Sequence, residues 1–169
     1  MIEFRAANNQ DIDLLIYWDQ QEHVIASDPN DDWDWEYELN RSPDWREQLI
    51  ALWNGTPIGV LQIIDPAREE SHYWGAVGEN KRAIDIWIGE AHNLGKGYGT
   101  QMMQLALERC FSHPEVVEVL IDPLESNTKA IRFYKRLGFQ FVEKRQFGAD
   151  KCEVYAIKRV DWERIKSDQ

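Results

Sequence analysis

The sequence has little to cross-link or anchor it. Its only cysteines, Cys110 and Cys152, make no disulfide framework and read as reduced thiols in a reducing compartment. No apolar run approaches the roughly 20 residues that a membrane-spanning helix requires. The first eleven residues lack the basic stretch and apolar core of a secretory leader, so a cytoplasmic protein without a membrane partner is expected. Positive charge is also scarce: 19 Lys and Arg stand against 30 Asp and Glu, a net charge of -11, which argues against nucleic acid as a partner. The histidines, His23, His72, His92 and His113, show no zinc spacing with one another or with cysteine, and no metal is expected. There is no repeat, low-complexity tract or linker. No Ser-His-Asp elbow appears, so chemistry through an acyl-enzyme is disfavoured.

What remains is a chain of 169 residues, a length that fits one domain over residues 1–169 and needs no staple to fold. Its acidity suits a small cationic partner, because a cleft lined by carboxylates concentrates a polyamine-like substrate; surface acid also serves solubility alone. The eight tryptophans are unusual for this length, and indole is both a core filler and a flat platform for sugars and cations.

Periodicity gives an alternating order of elements. Residues 2–6 read as a strand. Asn8 or Asn9 caps a helix over residues 11–21, and an irregular, acidic and aromatic segment follows over 28–38, partly helical. Residues 48–53 and 58–64 form a hairpin around Asn54-Gly55, and 65–80 a loop. A strand over 83–89 meets a glycine-rich turn at 93–100 and then a helix ending near His113-Pro114. A strand over 116–121, a helix from Ser126 or Asn127 to Leu137, and strands over 139–144 and 152–158 complete the chain, with Gly138 closing the helix. The order predicts a mixed α/β sheet with helices on both faces.

Gly95, Gly97 and Gly99 sit between strand and helix. Glycines there free backbone N–H groups to close on an oxyanion, and the helix directs its positive end to the same point, so the segment suits a pyrophosphate; Lys96 and Thr100 add a charge and a hydroxyl. A tight strand-to-helix connection would look the same. No Gly-Lys-Ser/Thr follows, and the turn lies in mid-chain, so neither a Walker loop nor a dinucleotide fingerprint is present. In the helix beyond it, Gly99, Met102, Met103, Ala106 and Cys110 fall on one stripe, which makes Cys110 a core residue.

Leu94-Gly-Lys-Gly-Tyr-Gly99 resembles the coenzyme A loop of the GNAT acetyltransferases, with Leu94 where Gln or Arg is usual. The stretch from Asn127 through Ala130 and Tyr134 to Gly138-Phe139 resembles a second signature of that superfamily. Asn54-Gly-Thr-Pro-Ile-Gly59, Arg82-Ala-Ile-Asp85, Asp122-Pro123 and Ser126-Asn127 further resemble the aminoglycoside 6'-N-acetyltransferases, from about residue 50 to 160. The resemblance implies a GNAT-like, mostly antiparallel sheet of about seven strands and acetyl-CoA as co-substrate. It implies that Leu94, Gly95, Lys96, Gly97, Gly99 and Thr100 hold the coenzyme's phosphates. Asn127 would bond the coenzyme near its pantetheine arm, and backbone groups around Trp87 and Ile88 would align that arm. Tyr134 would protonate the leaving thiolate, unless it is simply a helix residue packed on the sheet.

The acceptor side rests on strand alternation. In residues 84–88, Ile84, Ile86 and Ile88 take one face and Asp85 and Trp87 the other. In the next strand Val117, Val119 and Ile121 oppose Glu118, Leu120 and Asp122, and parallel neighbours would bring Asp85 and Asp122 near one cleft. A primary amine with a pKa near 10 is only about one part in a thousand free base at pH 7, so an enzyme that acetylates it must bind an ammonium and remove a proton. By resemblance Asp85 is the base and Asp122 an amine anchor; the alternative for each is an ion pair with Arg82, Lys81 or another lysine. Glu70, Tyr73, Trp74 and Glu79, and Trp33, Trp35 and Asp31, Asp32 and Asp34, are candidate walls of a cationic sugar pocket. The expected function is acetyl transfer to a small polycationic amine, the 6'-amine of an aminoglycoside, by a monomer or homodimer. Another amine, or a non-catalytic acyl-CoA-binding module, are the rivals.

Overall fold

The computed structural model describes residues 1–169. Its first hairpin is set by one turn. β1 (Ile2–Ala6) lies antiparallel to β2 (Arg46–Trp53), with Ile2 opposite Trp53. β2 returns as β3 (Thr56–Ile64) through Asn54 and Gly55, whose φ angles of 50° and 84° are the left-handed pair of a two-residue hairpin loop. β4 (Lys81–Ile88), β5 (Glu118–Ile121), β6 (Gln140–Phe147) and β7 (Asp150–Lys158) complete a seven-stranded sheet in the order β1-β2-β3-β4-β5-β7-β6. β4 and β5 run parallel, Lys81 opposite Glu118, so the chain between them must cross over; it does so through a helix, α4 (Tyr98–Phe111, numbered in chain order). β5, β6 and β7 pair antiparallel. The expected α/β fold with a mostly antiparallel seven-stranded sheet is the fold observed.

The chain gathers into two compact units, residues 1–64 with 85–106, and residues 65–84 with 107–169. In the first, Asn8 caps a short 3-10 turn over Asn9–Asp11: its side chain accepts from the Gln10 N–H at 2.8 Å, and Asp11 accepts from the Asn8 N–H at 2.9 Å. Arg5 grips Asp11 with two bonds of 2.8 and 2.7 Å. Burial alone would raise the Asp11 pKa, but Arg5 and the Asn8 N–H outweigh it and hold it below the usual carboxylate range. The single helix expected over 11–21 is two: α1 (Ile12–Asp19) and α2 (Glu22–Ser27), broken at Gln21, which is extended. No glycine or proline marks the break. It accompanies the burial of both Trp18 and Val24, a packing demand that periodicity does not register. α3 (Trp35–Leu39) is the helical part of the acidic segment, capped by the Asp34 side chain on the Tyr37 N–H. Leu15, Trp18, Trp35, Ile50 and Val60 form one core cluster, and Ile2, Ala51, Ile58 and Met102 another.

In the second unit, Val119, Leu120 and Ile121 are all buried, so residues on both expected faces of this strand are covered; β5 lies between two paired neighbours. α5 (Thr128–Arg136) follows it. α6 (Arg159–Ser167) was not anticipated; its apolar stripe is short, Trp162 and Ile165 among charged residues. It is docked by Trp162 stacked on Phe111 at 4.8 Å and by Arg159, which donates to the carbonyls of Val116, Phe111 and His113. Cys110 and Cys152 are buried free thiols. No helix is long and apolar enough to cross a membrane.

Candidate active site

The glycine turn of the first unit begins with a 3-10 turn over Ala91–Asn93, closed by the Leu94 N–H on the Ala91 carbonyl at 3.1 Å. Gly95 and Gly97 then adopt φ of 73° and 82°, and a Cβ at either would meet nothing within 4 Å. It is therefore backbone conformation, in an open space, that asks for glycine here. Leu94, Gly95, Lys96 and Gly97 are exposed, and Gly99 and Thr100 belong to the first turn of α4. The unpaired N–H groups and positive dipole end of that helix thus open onto a stretch of uncovered backbone, the arrangement that suits a phosphate. The helix is fixed from behind: Met102, Met103 and Ala106 are buried, and Tyr98 packs on Trp53 at 5.0 Å.

Along β4, Asp85 is exposed beside the buried Ile84. On the same strand Arg82 pairs with Asp65 at 3.5 Å and Lys81 with Glu118 at 3.6 Å. Trp87 and Ile88 are half-buried. Beyond them the Gly89 N–H donates to the Ile58 carbonyl at 3.0 Å, and a Cβ on Gly89 would collide with the indole of Trp18. His23 Nε2 lies 2.7 Å from the Ile88 carbonyl, so this nitrogen carries the proton and donates. Sequence reasoning missed His23, since nothing local to α2 signals a partner 65 residues away.

The acidic and aromatic segment gathers around Trp87. Trp33 stacks on Trp35 at 5.1 Å, and the two rings lie 5.9 and 6.3 Å from Trp87. Trp35 Nε1 donates to Asp19 Oδ2 at 2.5 Å. Asp19 ends α1, where the helix dipole is negative. Its pKa is raised, by burial first and by the charges of Asp31 and Asp32, with the bond from Trp35 opposing. The ring nitrogens of Trp18 and Trp87 are buried and have no hydrogen-bond partner. Trp33 is half-buried and Asp32 exposed. The Asp19 bond from Trp35 carries no sequence signal; the spacing of Asp19 reads only as a helical position.

In the second unit the expected loop over 65–80 is ordered. Glu69 is buried, and its carboxylate accepts from the Ser71 N–H at 2.8 Å, the Ser71 hydroxyl at 2.8 Å and the Tyr73 N–H at 3.0 Å. Burial raises its pKa, but these donors and His72 more than reverse that, and the net shift is downward. Tyr73 stacks on Phe147 at 4.5 Å with the rings 9° apart, and its hydroxyl donates to Asp122 Oδ2 at 2.7 Å. Trp74, a candidate wall residue, is only 3% exposed and packs edge-on against Phe147. Arg145 donates to the Trp74 carbonyl at 2.8 Å and lies over the Phe147 ring. Glu70 and Glu79 are exposed. The Asn127 side chain caps α5, accepting from the Ala130 N–H at 3.2 Å. Tyr134 is half-buried, 5.3 Å from Phe133 and 5.8 Å from Phe139 ring to ring.

A mixed sheet whose parallel crossover helix opens on an exposed glycine turn defines the class. The model for the acetyltransferase (GNAT) domain matches residues 7–147, and the chain belongs to that family of N-acetyltransferases. Among particular proteins, it is 29% identical over 153 residues to aminoglycoside N(6')-acetyltransferase type 1 of Klebsiella pneumoniae, covering 82% of this chain and 74% of that one. It is 38% identical over 91 residues to a kanamycin resistance protein of Rhizobium radiobacter, covering 52% and 81%. The crystal structure of aminoglycoside acetyltransferase AAC(6')-Ib with coenzyme A and kanamycin superposes with a TM-score of 0.87 at 25% identity, over 98% of this chain and 99% of that one.

Proposed function

We propose that residues 1–169 act as one GNAT domain that transfers the acetyl group of acetyl-CoA to a primary amine of a small polycationic acceptor, the 6'-amine of an aminoglycoside. The observation that carries this reading is the exposed, positive-φ backbone of Gly95 and Gly97 at the start of α4. Donors without side chains in the way fit a diphosphate, so this backbone, with Lys96 and the Thr100 hydroxyl, would hold the coenzyme. Leu94 adds no polar contact, and main-chain N–H groups carry the binding there. Asn127 and the backbone at Trp87 and Ile88 align the pantetheine arm. Bound acetyl-CoA supplies an acetyl thioester already activated for attack.

The residues then handle charge and protons. Asp122 anchors an ammonium, and Trp33 and Asp32, with Glu70 and Glu79, wall the acceptor. Trp74 supports this wall from within, as its burial allows no face for a ligand. Asp85 takes the proton from the ammonium, directly or through water, and frees the lone pair. Tyr134 donates to the departing thiolate, whose ordinary pKa of about 8.5 makes modest help sufficient. The excess of acidic residues favours cationic over neutral acceptors.

The test is mass spectrometry of kanamycin incubated with acetyl-CoA and the purified protein. One added acetyl per acceptor, and a loss of about 10²–10⁴ in kcat for Asp85→Asn, are expected. Failure to acetylate any of a panel of aminoglycosides removes the acceptor assignment. Absence of heat on titrating acetyl-CoA removes the glycine turn as a coenzyme site.

A further inference from the structure

The second unit holds a hydrogen bond that the acetyl-transfer scheme does not use. Tyr73 OH donates to Asp122 Oδ2 at 2.7 Å, and the two residues lie 49 positions apart. Each partner is immobilised separately. Asp122 precedes Pro123, which confines its backbone to extended conformations, and the Pro123 carbonyl accepts from the Glu153 N–H at 2.9 Å. Tyr73 is fixed by its ring stacked on Phe147, by its N–H on Glu69 and by the Arg145 bond to the neighbouring Trp74 carbonyl. A phenol held in this way is not a swinging lid. Its rotamer is already chosen in the folded protein, so its bond costs little further entropy when a ligand arrives.

Resting on the reading of Asp122 as the amine anchor, we propose that Tyr73 is a positioning residue for acceptor binding. Its hydroxyl locks the Asp122 carboxylate so that an acceptor ammonium meets it in one orientation. An aspartate side chain otherwise has rotamers to lose on pairing with a cation, and a carboxylate turned by one rotamer misplaces the amine that is to be acetylated. A bond between a hydroxyl and a carboxylate is charge-assisted and strong enough to hold that choice. Tyr73 itself touches no reacting atom and acts through Asp122.

The test is a double-mutant cycle on the full chain with coenzyme A bound, with kanamycin affinity read by calorimetry and kcat by thiol release. Tyr73→Phe keeps the ring and removes only the hydroxyl. It is expected to weaken kanamycin binding about tenfold, the scale of one hydrogen bond to a charged group. The acetyl-CoA KM and the thermal midpoint should stay near the wild-type values, while kcat at saturating kanamycin should fall, because the amine is less well aimed. Asp122→Asn should weaken binding at least as much, and the double variant no more than Asp122→Asn alone, because one path carries both effects. Multiplying effects in the double variant, or an unchanged affinity for Tyr73→Phe beside a weakened Asp122→Asn, overturn the positioning role. Unchanged affinity in Asp122→Asn removes the anchor, and this proposal with it, while leaving acetyl transfer intact. No heat from kanamycin on the wild-type protein removes both the acceptor assignment and the positioning role.

Discussion

The rings of Trp33, Trp35 and Trp87 and those of Tyr73, Trp74 and Phe147 each gather beside a buried or half-buried carboxylate, Asp19 in the first unit and Glu69 in the second. The materials are alike and the electrostatics are opposite. Glu69 receives two backbone N–H groups and a hydroxyl, and its pKa is lowered although burial opposes this. Asp19 receives one indole N–H, faces Asp31 and Asp32, and its pKa is raised. Nearby, the indole nitrogens of Trp18 and Trp87 have no partner. A satisfied carboxylate builds scaffold. A carboxylate desolvated among like charges costs stability, and such local conflict is expected where a ligand completes the arrangement. The Glu69 loop is accordingly the more rigid of the two settings, and it holds Tyr73.

The comparison can be broken by substitution. The largest effect is expected for Gly89→Ala. Trp18 is only 1% exposed, so its indole has nowhere to go when a Cβ enters, and the cost is about 3 kcal/mol or more, read as a fall in the urea midpoint. A variant as stable as wild type would mean the Trp cluster is loosely packed, contrary to the account given. Next, Glu69→Ala leaves the Ser71 and Tyr73 N–H groups without their acceptor and should cost about 2–3 kcal/mol. If thermal denaturation shows no loss, the contrast between the two carboxylates fails. Trp35→Phe removes the sole donor named for Asp19 and is expected to cost about 1.5–2 kcal/mol, while Trp87→Phe, which deletes an unpartnered N–H, should cost clearly less.

Much of this arrangement was legible in the residues. The Asn54-Gly55 hairpin, the Asn8 cap, the glycine turn and the buried stripe of α4 are local, so spacing and turn chemistry declare them. Gly138 at the end of α5, with φ of 105°, is another such local signal. What escaped was set by distant partners. The break between α1 and α2, the docking of α6 by Arg159, the His23 bond to Ile88 and the Glu69 turn carry no periodic mark. In β5 the alternation of Glu118-Val-Leu-Ile121 gives the two faces but not that both are covered, since burial is set by the neighbouring strands and helices. Of the candidate site, the exposed glycine turn could be named from sequence. Asp19 could not, because its conflict arises only when Trp35, Asp31 and Asp32 are folded around it.

The smallest expected effect is the one that most sharpens the comparison. Asp19→Asn keeps an acceptor for Trp35 Nε1 and removes the charge. Because the folded-state pKa of Asp19 is raised, its ionised form costs stability, fully above that pKa, and the cost is relieved as pH falls through it. The variant should therefore match or exceed wild type at neutral pH and converge with it in acid, as thermal midpoints across a pH series would read. Glu69 carries the opposite sign: its lowered pKa means stability held above the ordinary glutamate range and lost as pH falls through the folded value, so Glu69→Gln should differ most at neutral pH by being less stable. A gap for Asp19→Asn that widens in acid would contradict the raised pKa.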